Sequence, residues 1–243
     1  MPDILFSANA WAALLTLTAL EIVLGIDNLV FISVLTGRLD KERAVTARAV
    51  GLSLAFVFRI MLLASLTWLM GLTQPVLEAA GFALSWRDVI LVSGGLFLLT
   101  KATHEIHGEV EADDGASAKV RGRRALLLVI VQLVAIDLVF SIDSIVTAIG
   151  LADDLEIMIA AVSIAMLVMY FSAAPVGEFI AAHPTTKMLA LSFLLLIGVA
   201  LLADGFHFHI PRGYIYFSMA FACAVETFNV LARRNRAKPT RRP

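Results

Sequence analysis

Two segments of the chain carry residues capable of ion chemistry: Glu21-Ile-Val-Leu-Gly-Ile-Asp27-Asn28 and Asp137-Leu-Val-Phe-Ser-Ile-Asp143-Ser144. In each, two carboxylates stand six residues apart and a small polar residue follows the second. Each pair lies mid-way along an apolar run long enough to cross a bilayer. A charged side chain at that depth costs at least about 2.5–3.5 kcal/mol on insertion scales. Four such acids in two matching places call for a function. Carboxylates, an amide (Asn28) and hydroxyls (Ser141, Ser144) are all oxygen donors, and oxygen donors suit hard divalent cations such as Mg²⁺, Ca²⁺ and Mn²⁺. No His or Cys is central in an apolar run, which argues against selective zinc or copper binding.

The elements that must hold these residues follow from composition. The chain is 60% hydrophobic and 16% charged, well outside the range of soluble domains. A spanning helix needs roughly 20 apolar residues. Seven candidates fit, at 9–36, 44–71, 86–103, 125–150, 155–173, 187–204 and 213–232. The fold expected is all-α, a polytopic membrane protein filling the chain as one transmembrane domain, with no room for a soluble catalytic domain. No signal peptide is read at the N-terminus, since Met1-Pro2-Asp3 lacks a basic region. Cys223 is the single cysteine; it allows no internal disulfide and reads as a small packing residue.

Of nineteen Lys and Arg, sixteen fall on one side if the spans alternate: in the 1–2, 3–4 and 5–6 loops and the tail from Arg233 to Arg242. Arg87 and Arg212 fall on the other side, and Arg59 lies inside span 2. The positive-inside rule then places the N-terminus outside and the C-terminus in the cytoplasm. The basic tail also fits contact with anionic lipid and needs no nucleic acid to explain it. Tyr214 and Tyr216 fit an interfacial aromatic belt.

The acidic segments align without a gap. Glu21 matches Asp137, Gly25 matches Ser141, Asp27 matches Asp143, and Asn28 matches Ser144. One copy is in span 1 and the other in span 4, an odd shift, so the copies run in opposite directions. The expectation is a 3+3 inverted repeat, approximately 9–103 and 125–204, joined by a polar cytoplasmic linker at 104–124. An extra helix at 213–232 and a basic tail at 233–243 follow. Inverted repeats with a midplane site characterise secondary transporters.

On an ideal helix Glu21, Gly25 and Asn28 share one face, as do Asp137, Ser141 and Ser144, whereas Asp27 and Asp143 point about 120° away. Either each helix offers its two acids to different neighbours, or the helices break near Gly25 and Ser141 and free backbone carbonyls for the site. Four ionised acids against Arg59 leave three net negative charges. One divalent ion removes two of them and protons could remove the rest, which makes metal–proton exchange a natural activity. Na⁺ binding, a proton relay or a purely structural polar network are the alternatives. Arg59 reads as the partner of one or two of the acids. Gln132 is a supporting donor or an ordinary helix–helix hydrogen bond. Glu226 and Asn229 sit near the cytoplasmic end of span 7, either on an ion path or at the interface. Two His-bearing stretches, His104 to Asp114 inside and Asp204 to His209 outside, read as solvated polar loops that could also attract metal.

The two acidic segments resemble the signature segments of the TerC family of integral membrane proteins, and the likeness extends over nearly the whole chain. The resemblance implies a bacterial inner-membrane protein related to LysE-type exporters, a family named for tellurium resistance with several members linked to Mn²⁺ export. It carries over Glu21, Asp27, Asn28, Asp137, Ser141, Asp143 and Ser144 as metal-site positions. Larger relatives append soluble domains after the membrane core, and none is expected here. The combined expectation is an exporter, not an enzyme, without a prosthetic group. Its partners would be a divalent cation, protons and membrane lipids, and a homo-oligomer stays open. The rival readings are export of an amino acid or oxyanion, and a non-transporting partner that aids metalation or insertion of other proteins. An intramembrane aspartyl protease is disfavoured because no Gly-x-Gly-Asp segment is present.

Overall fold

The computed structural model describes residues 8–37, 39–79, 82–111, 123–149 and 154–236. Eight helices and one hairpin are formed among them. The helices are α1 (Ala8–Gly37), α2 (Lys41–Ala64), the short α3 (Leu66–Gly71), α4 (Trp86–Glu111), α5 (Arg123–Ile149), α6 (Leu155–Ala182), α7 (Pro184–Gly205) and α8 (Arg212–Arg236). Strands β1 (Pro75–Ala79) and β2 (Phe82–Ser85) pair antiparallel between α3 and α4. Seven helices are long and apolar enough to span a membrane, so the all-α polytopic fold expected from hydropathy is the observed one. The hairpin is an addition that hydropathy does not signal.

Three span ends differ from the sequence reading by seven residues or more, the fifth span running on from position 173 to Ala182. The second span ends at Ala64 and the chain restarts as α3 at Leu66. The third runs eight residues beyond position 103, to Glu111, so the first part of the expected linker is helical. Ion pairs support that extension: Lys101 with Glu105 at 3.2 Å, His107 with Glu111 at 3.0 Å, both at i, i+4, and Glu109 with Lys187 of α7. The acids and imidazoles of 104–111 are thus divided among separate pairs. The rest of the expected linker, at 112–122, and the tail from 237 onward lie outside the described residues.

Lipid gives helices no hydrophobic reason to associate, so close packing relies on small residues. Gly95 of α4 faces Gly198 of α7, and a Cβ on Gly95 would stand 2.8 Å from the Gly198 carbonyl oxygen. Gly205 meets the Asp88 carbonyl at the other end of the same contact, so α4 and α7 run antiparallel. Gly25 lies against Met169, and Gly177 against Ser33, so α1 and α6 run parallel. Gly51 lies against Leu133, and Arg59 bonds Ser141, so α2 and α5 also run parallel. The contacts α1–α6 and α2–α5 exchange when α1, α2 and α4 are swapped with α5, α6 and α7, as do α1–α7 and α4–α5. The α4–α7, α1–α5 and α2–α6 contacts map onto themselves. The buried core runs through α1, α2, α4, α5, α6 and α7, with Phe31, Leu63, Leu91, Leu98, Ile145, Leu191 and Leu194 at its centre. Helix α8 packs against α7 and leaves Tyr214, Phe217, Phe221 and Phe228 exposed.

Candidate functional site

Helices α1 and α5 are continuous through both acidic segments. Neither helix breaks at its acidic segment, and on α5 the two acids, Asp137 and Asp143, turn to different neighbours. Near the middle of α1 and α5 the matching faces meet. Glu21 Oε2 pairs with Arg59 Nη1 at 2.8 Å. Arg59 Nε donates to Ser141 Oγ at 2.8 Å, and Ser141 Oγ donates in turn to Asp137 Oδ2 at 3.2 Å. Asn28 Nδ2 donates to Asp137 Oδ1 at 3.0 Å. One polar network thus joins α1, α2 and α5, and Glu21, Asn28, Arg59, Asp137 and Ser141 are all buried within it. Arg59 is 2% exposed, so its guanidinium is the counter-charge that makes a buried Glu21 tolerable. Ser144 is buried on the same face, and its hydroxyl bonds the Ser141 carbonyl at 3.3 Å.

The network has one open acceptor. The Asn28 Oδ1 atom is buried and has no hydrogen-bond partner among the described residues. Asn28 and Asp137 line a small cavity together with apolar residues including Phe31, Gly51 and Leu133. A buried carbonyl oxygen next to a carboxylate is a costly arrangement unless a hydrogen-bond donor or a cation meets it. With Glu21, Asp137 and Arg59 ionised, the network carries one net negative charge.

Asp143 does not belong to this network. It lies two turns nearer the end of α5 and is 1% exposed. Arg87 Nη2, at the start of α4, meets its Oδ1 at 2.6 Å, and Arg212, at the start of α8, meets its Oδ2. Arg212 also reaches Asp204 at the end of α7, at 3.5 Å. Asp204 pairs with His209 at 3.3 Å. Beside them Asp88 closes the first turn of α4: Ser85 N–H donates to its carboxylate at 2.8 Å and Ser85 Oγ accepts from the Asp88 N–H at 3.2 Å, a reciprocal N-cap. His207 Nε2 stands 3.0 Å from the same Asp88 carboxylate. This second cluster joins the ends of α4, α5, α7 and α8. Sequence reasoning counted Arg87 and Arg212 only as the two basic residues on the outer side and missed the cluster. The available signal was that these two arginines stand alone on a side otherwise free of basic residues.

Of the remaining expected positions, Asp27 lies on α1, and its side chain is outside the described ones. Gln132 is half-buried earlier on α5, outside the network. Glu226 accepts hydrogen bonds from Thr185 and Thr186, docking α8 onto the first turn of α7, where a carboxylate also meets the positive end of the helix dipole. Glu226→Gln retains an acceptor oxygen and is expected to cost about 1 kcal/mol or less in thermal unfolding, far less than changes in the central network. His104 and His107 are exposed on α4. No group of three or more His, Cys, Asp or Glu suited to a metal is formed among the described residues. The central network offers two carboxylates, with amide and hydroxyl oxygens between them.

The sequence matches the family described as integral membrane protein TerC family over residues 6–241. It is 48% identical over 232 residues to UPF0053 inner membrane protein YgdQ of Escherichia coli, covering 95% of this chain and 96% of that protein. A UPF0053 protein of Haemophilus influenzae is 46% identical over 226 residues, covering 93% and 95%. UPF0053 inner membrane protein YoaE of Escherichia coli is 46% identical over 233 residues, and the chain spans 45% of its length. No solved structure matches. With its family profile and these relatives covering nearly its whole length, the chain belongs to the TerC family of integral membrane proteins.

Proposed function

We propose that this protein is a bacterial inner-membrane exporter of a divalent metal cation, Mn²⁺, driven by proton exchange. The central network is its binding site, and the protein acts as a transporter rather than an enzyme. The observation that carries the reading is the open Asn28 Oδ1 beside the Asp137 carboxylate, buried near the middle of α1 and α5. That position offers oxygen ligands and negative charge where a hydrated ion has little reason to enter otherwise. The paired contacts of the two halves also support it, since such repeats place transport sites at their interface. The inner-membrane naming of YgdQ and YoaE supports the location. The surplus of basic residues in alternate loops supports an outside N-terminus and a cytoplasmic C-terminus.

The test is metal flux into proteoliposomes over a panel of cations, with and without a pH gradient. Mn²⁺ flux that rises with the gradient is expected, together with a cytoplasmic signal from a reporter fused at Pro243. Absence of flux for every dication would sink the reading and favour the metalation or insertion partner. A periplasmic signal from that reporter would overturn the topology with an outside N-terminus and a cytoplasmic C-terminus.

A further inference from the structure

We propose that the thioether of Met169 is a ligand of the central site and makes it favour transition-metal dications over Mg²⁺ and Ca²⁺; this rests on reading that network as the cation site.

The repeat register leads to this residue. Ser141 of α5 matches Gly25 of α1. Ser141 receives Arg59 from α2, and Gly25 receives Met169 from α6. Both helix pairs run parallel, so Met169 occupies in one half the place that Arg59 occupies in the other. The neighbouring contact agrees. Gly51 lies against Leu133, and the same register makes their counterparts Ala161 and Leu17, again a small residue and a leucine, both buried. The halves therefore differ at one decisive position. One presents a tethered guanidinium to the acidic face opposite, and the other presents a neutral sulfur.

The surroundings of that sulfur suit a ligand. Met169 is 3% exposed. Its Sδ rests directly on Gly25, in the space that a Cβ there would fill. Gly25 lies on the helix face that carries Glu21 one turn before it and Asn28 just under one turn after it. The sulfur thus lies beside Gly25 at a height along α1 between Glu21 and Asn28. Oxygen ligands alone bind Mg²⁺ and Ca²⁺ as readily as Mn²⁺. A thioether adds little for those two ions and more for softer dications, in the order of their softness. The glycine at position 25 is what admits the sulfur, and a serine there, as in the other half, would displace it.

The decisive experiment uses the full chain in proteoliposomes, as Met169→Leu and Gly25→Ser, with Mn²⁺ or Cd²⁺ as the transported ion and Mg²⁺ as competitor. Met169→Leu nearly conserves volume, and an unchanged thermal transition verifies its fold. The Mn²⁺-to-Mg²⁺ selectivity ratio is expected to fall about tenfold in both variants, and the Cd²⁺-to-Mg²⁺ ratio by more, following ligand softness. X-ray absorption of bound Cd²⁺ gives a readout independent of transport. A Cd–S path is expected in Cys223→Ser and is expected to vanish in Cys223→Ser with Met169→Leu. Unchanged selectivity, or no Cd–S path, overturns the role of Met169 while wild-type flux keeps the transport reading alive. No flux of any dication by the wild type overturns both.

Discussion

Arg59→Met is expected to lower stability by about 3–5 kcal/mol, because it leaves Glu21 as a buried carboxylate without its cation. Arg59 Nη1 stands 2.8 Å from Glu21 and both side chains are almost wholly buried, so solvent cannot make good the loss. The same change frees Ser141 Oγ of its donor. Adding Glu21→Gln removes the stranded charge, and the double variant is expected to recover most of the loss. Unfolding in detergent, run as a double-mutant cycle, measures the coupling. A single variant as stable as wild type would show that the Arg59–Glu21 pair does not hold the fold together.

Asp143→Asn is the second change with a large expected effect, again about 3–5 kcal/mol, since two guanidiniums would face one neutral amide in place of a shared carboxylate. Arg87 and Arg212 arrive from different helices, so the loss should fall on the docking of α8 and the start of α4. Arg212→Gln should cost less, because Asp143 keeps Arg87. Thermal unfolding compared across the two variants tests that order, and metal flux in the same samples reports whether the cluster matters for transport. Equal stability of Asp143→Asn and wild type would show that the cluster is only a surface arrangement.

Much of this was legible in the residues. Spans and the polar faces follow from hydropathy and from the 3.6-residue period, and lipid makes both rules strict because backbone groups must bond within helices. Arg59 was legible as a partner because a lone arginine inside a span needs an acid. The division of the acids was only half legible. Period arithmetic turns Asp143 about 120° from Asp137, but which neighbour waits there depends on crossings such as Gly95 on Gly198, which a single chain does not announce. The pairing of Arg87 and Arg212 with Asp143 was not legible, because both arginines stand at the ends of apolar runs, far from Asp143 along the chain. Their long side chains reach inward from helix ends, and reach is not a property of local sequence. His207 shows the same limit. It occupies the left-handed position closing α7, with φ 63°, where Phe208 N–H bonds Ala203 O and His207 N–H bonds Asp204 O. Glycine is the usual residue there, so the sequence gives no sign of the turn that sets His207 beside Asp88.

The unbroken course of α1 and α5 has a consequence for hydration. Every backbone carbonyl along the two acidic segments is committed to its own helix, so an ion in the central site can draw only on side chains. Glu21 and Asp137 are already engaged, and Asn28 offers one free oxygen. Mg²⁺ requires a near-ideal octahedron of oxygens, and Ca²⁺ takes six to eight. The side chains alone fall short of such a shell. A dication would therefore carry part of its water through the membrane, and the rate at which it exchanges those waters would become a term in the rate of transport.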